Sequence, residues 1–128
     1  MTELTERETL QHRPAGTILF SEGDQPRGIY LIHSGTIDLL LRDRNGQWKR
    51  MRSESSGEIL GLESVVSHRP HEYTARAASA CDLGFIEKES FLRVLDESPA
   101  IWFSVLRLLS QGVYASYASL RHVAEARA

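Results

Sequence analysis

The sequence predicts a mainly β fold, a jelly-roll-like barrel or sandwich, with its helices gathered towards the C-terminus. Two observations carry that prediction. From Thr17 to about Ile86, some seven or eight short β-rich runs alternate with glycine-containing turns and no helical interlude. After Ile86 the pattern changes to helical spacing and stays so.

Taken in order, residues 3–12 form a short lead-in helix with Leu4 and Leu10 as its only large apolar residues, broken by Pro14-Ala15-Gly16. Thr17–Phe20 is a first strand, ended by Glu22-Gly23-Asp24. Gly28–Ile32 and Thr36–Leu41 flank His33-Ser34-Gly35, which reads as a tight hairpin. Asn45-Gly46 is a second hairpin turn, joining Ile37–Leu41 to Gln47–Met51, because both turn residues tolerate positive φ. The stretch Gly57–Ala80 opens with a Gly/Glu/Gly turn, crosses a short polar loop and returns as a strand, Tyr73–Ala78. Cys81–Ile86 closes the β part, which spans residues 15–87. A helix over 88–96 follows, with Phe91, Leu92 and Leu95 on one side. Ser98-Pro99 then caps and starts a second helix over 99–125.

At 128 residues the chain is one domain, 1–128, with room for a single core. A net charge of −2 offers no global attraction to nucleic acid or anionic membrane. No run of roughly 18 apolar residues supports a membrane span. The polar, acid-bearing N-terminus is unlike a secretory signal. Cys81 is alone, so no intrachain disulfide forms. A cytoplasmic location is expected.

Four segments, FSEGD at Phe20–Asp24, GIYLIHSGTIDLLL at Gly28–Leu41, GEILGLES at Gly57–Ser64 and ARAASACDLGFIEKESF at Ala75–Phe91, occur in an order and spacing that carry information together. From Thr17 to Val123 the chain resembles the effector domain of the cyclic-nucleotide-receptor/FNR (CRP/FNR) family of bacterial regulators. The resemblance implies a double-stranded β-helix, that is, a jelly-roll-like β-roll, with a short helix and a long C-terminal dimerisation helix. It implies a sensory role in transcription regulation, with a helix-turn-helix domain beyond the long helix. These 128 residues do not contain that domain, so no direct DNA contact is expected of them.

In cyclic-nucleotide-binding members of that family, a Glu after the second turn glycine holds the ribose hydroxyl. An Arg-Ser/Thr pair before the returning strand holds the cyclic phosphate. Here Leu62 follows Gly61 with Glu63 displaced by one, and His71-Glu72 stands in place of the Arg pair. A carboxylate at Glu72 repels an anionic phosphate. The candidate pocket is therefore Ile59, Leu60, Gly61, Leu62, Glu63, Ser64, His71, Glu72, Tyr73 and Thr74, with cyclic AMP and cyclic GMP disfavoured. A neutral, cationic or planar ligand suits it better, and a collapsed pocket is the alternative.

Along the last helix, Trp102, Leu106, Leu109, Val113, Ser116, Leu120 and Val123 recur at the 4-3 spacing of a two-stranded coiled coil. Ile101, Val105, Leu108, Gly112, Ala115, Ser119 and His122 form a second series beside it. One core covers a stripe about 100° wide on a surface helix, and this apolar face is broader. A parallel homodimer accounts for both series, one on the roll and one on the twin. A roll that wraps the helix deeply in a monomer is the alternative.

Other chemistry finds less support. His68 and His71 have HxxH spacing but flank Pro70 in a loop, so a metal or haem site is not expected. Arg42, Arg44, Lys49, Arg50 and Arg52 straddle the Asn45-Gly46 turn and read as a solvated hairpin tip. No GxSxG, Cys/His pairing, P-loop or cupin-type His-x-His is present, so the chain is not read as an enzyme. The expected function is a ligand-responsive sensory module acting through its dimer helix. A ligand-free dimerisation module with a vestigial pocket is the alternative.

Overall fold

A computed structural model of the protein describes residues 7–110 and, along the last helix, the side chains as far as Phe103 together with Val105. Among these residues eight strands form two antiparallel four-stranded sheets. The strands are β1 (Thr9–Arg13), β2 (Ile18–Phe20), β3 (Gly28–Ser34), β4 (Ile37–Arg42), β5 (Trp48–Glu54), β6 (Ile59–Leu60), β7 (Thr74–Ala77) and β8 (Cys81–Glu87). One sheet has the order β1-β8-β3-β6 and the other β2-β7-β4-β5. The helices are α1 (Leu62–Ser67), α2 (Lys88–Glu97) and α3 (Pro99–Ser110).

The period-2 alternation of strands sorts the apolar residues into two cores. Ile29 and Leu31 of β3, Ile59 of β6 and Ile86 of β8 point towards the helices. There they meet Leu62 and Val65 of α1, Phe91 and Val94 of α2, and Ile101 and Val105 of α3. Ile32, Leu60, Cys81 and Leu83 face the roll interior instead, against Phe20, Ile37, Leu39, Tyr73, Ala75 and Ala77. The first sheet is thus covered on both faces, and each large side chain buried there contributes about 1.5–3 kcal/mol.

The β4–β5 hairpin forms where Asn45-Gly46 predicts it, although of those two residues only Gly46 has positive φ, at 77°. The Gly46 N–H donates to the Asp43 carbonyl at 3.0 Å, which makes Arg44 and Asn45 the central residues of the turn. Asp43 accepts backbone N–H bonds from Asn45 and Gln47, both at 2.9 Å, and the Arg42 guanidinium lies 4.2 Å from the centre of the Trp48 ring. Both predicted helices start where Lys88 and Pro99 place them. The part of the 99–125 helix beyond residue 110 lies outside the described residues.

Three expectations are corrected. Within the span expected as a lead-in helix, Thr9–Arg13 is a strand whose partner is β8, in register from Thr9 opposite Phe85 to Arg13 opposite Cys81. An open sheet edge outweighs the weak helical pattern of so polar a segment. His33-Ser34-Gly35 does not close a hairpin, because β3 and β4 belong to different sheets. It is a corner fixed to the β7–β8 turn, with the Thr36 N–H donating to Ser79 Oγ at 3.1 Å and the Ala78 N–H to the Thr36 carbonyl at 2.9 Å. The segment expected as a polar loop contains α1, since Leu62, Val65 and Val66 fall at i, i+3 and i+4 and bury one face against β3 and α2.

Candidate functional site

β6 hydrogen-bonds to β3 opposite Tyr30 and Leu31, and the chain then turns at Gly61 with φ of 85°. A Cβ at Gly61 would stand 3.2 Å from the Gly28 carbonyl oxygen and 3.4 Å from His71 Cε1, so the turn fits closely against both. The returning segment is sewn to the β2–β3 connection. The His71 N–H donates to the Asp24 carbonyl at 2.9 Å, the Gly23 N–H donates to the His71 carbonyl at 2.8 Å, and the Glu22 N–H donates to Thr74 Oγ1 at 3.0 Å.

His71 is the centre of this arrangement. Its imidazole lies on the Phe20 ring, centroids 3.7 Å apart and planes 15° from parallel, and only 3% of the residue is exposed. Nδ1 is buried without a hydrogen-bond partner. Burial pushes the imidazole below its ordinary pKa and so keeps the ring neutral at physiological pH, with the Asp24 carboxylate opposing the shift in part. Tyr73 packs against Phe20 from another side at 5.6 Å, and Tyr30 at 6.2 Å.

The structure divides the sequence-predicted residues into three groups. Gly61, His71 and Tyr73 converge on Phe20 and its surroundings, with Leu60 and Thr74 beside them in the roll. Ile59, Leu62 and Ser64 are buried, and Ile59 and Leu62 join the helix-side core. Leu62 is 1% exposed, so the position that follows the turn glycine presents hydrocarbon to hydrocarbon. Glu63 is half-buried and Glu72 is exposed.

Sequence reasoning missed Phe20, Tyr30 and one ion pair. Arg52 and Glu54 lie opposite Leu39 and Ile37, which places both on the inward face of β5. Arg52 Nε is 2.7 Å from Glu54 Oε1, and Arg52 Nε and Nη2 are shielded from solvent. Arg52 therefore leaves the solvated hairpin tip to which its sequence neighbourhood assigned it. Burial raises the Glu54 carboxyl above its ordinary pKa, the Arg52 guanidinium opposes this, and the charges of Glu58 and Glu63 add to the rise. Period-2 counting back from buried Ile37 across the Asn45-Gly46 turn was the signal available, and the bulge between Leu39 and Leu40 obscured it.

His68 is exposed at the end of α1 with φ of 57°, while His71 is buried, so the HxxH pair is split between surface and core. Among the described residues no three side chains of metal-binding type stand close enough to hold an ion. No helix of the described residues is long and apolar enough to cross a membrane.

The two-sheet roll, the Gly61 turn with its short helix, and the helices packed on the outer face agree with what the sequence comparisons find. Residues 10–98 match the cyclic nucleotide-binding domain family. The chain belongs to that family. A cyclic nucleotide-binding domain occurs in proteins of many kinds, and the similar proteins reflect this. Over 77 residues the chain is 27% identical to the potassium channel AKT1 of Oryza sativa subsp. indica, a match spanning 60% of this chain and 8% of the channel. The N-terminal domain of a transcriptional regulator from Streptomyces coelicolor superposes with a TM-score of 0.75 at 21% identity, covering 86% of this chain and 79% of that one. The regulatory subunit of a cAMP-independent protein kinase A from Trypanosoma brucei gives 0.72 at 16% identity, covering 85% and 38%. At such identities the two structures attest the fold. Bacterial regulators of the CRP/FNR type are among the structural neighbours of this cyclic nucleotide-binding domain.

Proposed function

We propose that this cyclic nucleotide-binding-like domain is the sensory module of a CRP/FNR-type transcriptional regulator, and that it does not take cyclic AMP through the family's usual contacts. The observation that carries the second part is the Phe20–His71 stack beside Gly61. Where a phosphate-holding Arg pair is expected, this chain buries a neutral imidazole against a phenyl ring. Where the ribose-holding carboxylate is expected, Leu62 is in the core. Neither offers the charge-assisted hydrogen bonds that a cyclic phosphate and a ribose need. The Trypanosoma brucei subunit, from a protein kinase A described as cAMP-independent, is a precedent for this fold in a protein that does not depend on that ligand.

A route for the signal supports the sensory part. The Gly61 turn runs directly into α1, whose Leu62 and Val65 share one core with Ile101 and Val105 of α3. A ligand contacting Ile59–Ser64 and His71–Thr74 shifts α1, and α1 bears on the long helix. That helix keeps Ile101 and Val105 on the roll and leaves Trp102 and Phe103 39% and 57% exposed. The second face is then available to a twin chain through Trp102, Leu106, Leu109, Val113, Ser116, Leu120 and Val123, of which all but Trp102 have side chains outside the described residues.

Calorimetry with cyclic AMP and cyclic GMP tests the ligand statement: no saturable heat is expected, and affinity of about 1 μM for either overturns it. Sedimentation tests the dimer. Particles near the chain mass of 14.4 kDa at tens of micromolar overturn it.

A second reading, a ligand-free dimerisation module with a vestigial pocket, draws on the same stack. Phe20, His71 and Tyr73 are each no more than 8% exposed and occupy roll space with side chains. Thermal-shift screening separates the two, since a module without a ligand is stabilised by no compound.

A further inference from the structure

β2 is an edge strand, and between it and the Asp24–Gly28 segment lies an open cleft of about 520 Å³. Ile18, Phe20, Asp24, Arg27, Tyr30 and His71 line it. Its size falls within the range of small-molecule sites, about 300–1,000 Å³. The cleft lies on the β2 side of the Phe20–His71 stack and draws on residues outside the Gly61 turn.

Three features define what suits it. Phe20 and His71, stacked on each other, both line the cleft, and Tyr30 stands 6.2 Å from Phe20. His71 is almost wholly buried with Nδ1 lacking a hydrogen-bond partner, an arrangement that costs stability unless some group answers it. The ends of the cleft differ in charge. Arg13 and Arg27 both bear on the Tyr30 phenol, whereas Asp24 bears on His71. Burial raises the phenol above its ordinary pKa, so Tyr30 is a protonated donor at neutral pH.

We propose that this cleft binds a planar aromatic acid of one or two rings carrying a ring N–H or O–H. The ring meets the edge of the Phe20–His71 stack close to the imidazole plane, the carboxylate meets Arg27 and the Tyr30 hydroxyl, and the ring N–H or O–H donates to His71 Nδ1. Asp24 sets the orientation by repelling the carboxylate from the His71 end. A small shift of the imidazole brings Nδ1 to the cleft, and the Nε2–H tautomer makes it an acceptor. The inference deepens the sensory reading by naming a ligand class beside His71, and rests on it only for the consequence of binding.

The test is calorimetry on the 128-residue chain with 4-hydroxybenzoate, indole-3-carboxylate, benzoate and the corresponding amides. The two donor-bearing acids are expected to bind saturably, with each amide about tenfold weaker or more. Arg27→Gln, at an exposed position, is expected to weaken the acids by about tenfold, and Arg42→Gln on the distant hairpin to leave them unchanged. His71→Phe keeps the stack and is expected to abolish the preference for 4-hydroxybenzoate over benzoate. No binding of any acid at about 1 mM, equal binding of acids and amides, or unchanged binding in Arg27→Gln overturns the proposal. Those outcomes leave the sensory reading standing, because it is decided by thermal-shift screening over other compounds and by sedimentation.

Discussion

The imidazole of His71 and the phenyl ring of Phe20 lie face to face at 3.7 Å, joining the returning strand of the Gly61 turn to the edge strand β2. A charged histidine would be poorly solvated there, so the contact holds the ring neutral and makes this part of the roll dependent on that neutrality.

The contact makes stability depend on pH. The His71 pKa in the folded chain lies below its ordinary value of 6.5 because burial disfavours the cation. Above pH 6.5 the ring is neutral in both states and its contribution is complete; as pH falls through the folded value, the unfolded chain binds the proton first and stability is lost. Melting temperatures measured from pH 7.5 to about pH 5 are expected to fall more steeply for the native sequence than for His71→Phe. Glu54, whose carboxyl is raised, contributes in the opposite direction, and the comparison at each pH cancels it. Parallel curves for the two proteins would refute a buried neutral His71.

Gly61→Ala tests the turn itself. The residue has φ of 85°, and the new methyl meets the Gly28 carbonyl at 3.2 Å and His71 Cε1 at 3.4 Å. Left-handed backbone costs an L-residue about 1–2 kcal/mol, and the close carbonyl offers little relief. Urea denaturation is expected to show a loss of that size with an unchanged m-value. An unaltered midpoint would mean that the turn relaxes freely.

Much of the roll was legible because its strands are short, alternate and are punctuated by glycine, Gly46 in the β4–β5 turn among them. The lead-in segment was misread because strand β1 exists only through its partner β8, a long-range pairing that no local pattern announces. The His33-Ser34-Gly35 corner looked like a hairpin because a turn signal says that the chain bends, without saying which sheet receives it. At the site, Gly61 and His71 were visible in sequence, whereas Phe20 enters from about fifty positions away and only folding brings it there. Arg52 was grouped with its charged neighbours, since β5 exposes four residues in succession before turning Arg52 and Glu54 inward.

The inward pair predicts a non-additive mutant series. Arg52→Met leaves the Glu54 carboxylate buried near Glu58 and Glu63 without its counter-ion and is expected to cost about 1–3 kcal/mol. Glu54→Gln alone is expected to cost less, because the glutamine carbonyl oxygen can still accept from Arg52 Nε, which lies 2.7 Å from Glu54 Oε1. The double replacement Arg52→Met with Glu54→Met is expected to recover most of the loss, since apolar side chains suit the inward face. Chemical denaturation of the native chain, Arg52→Met, Glu54→Met and the double replacement closes the cycle and gives the coupling. Additive losses would place the pair outside the roll's interior.

The last prediction separates the two faces of α3. Val105 is fully buried among Phe91, Val94 and Ile101, so Val105→Ala removes hydrocarbon from a filled core and is expected to cost about 1–3 kcal/mol at every protein concentration. Trp102 is 39% exposed one residue along from Ile101, and Trp102→Ala is expected to change the stability of a single chain by no more than about 0.5 kcal/mol. If Trp102 begins the seam between two copies, the native protein melts at a temperature that rises with protein concentration, and Trp102→Ala weakens that dependence. Melts over a hundredfold range of concentration read both effects at once. A native melting temperature independent of concentration would confine α3 to its own roll and remove the route by which the Gly61 turn is proposed to reach a second chain.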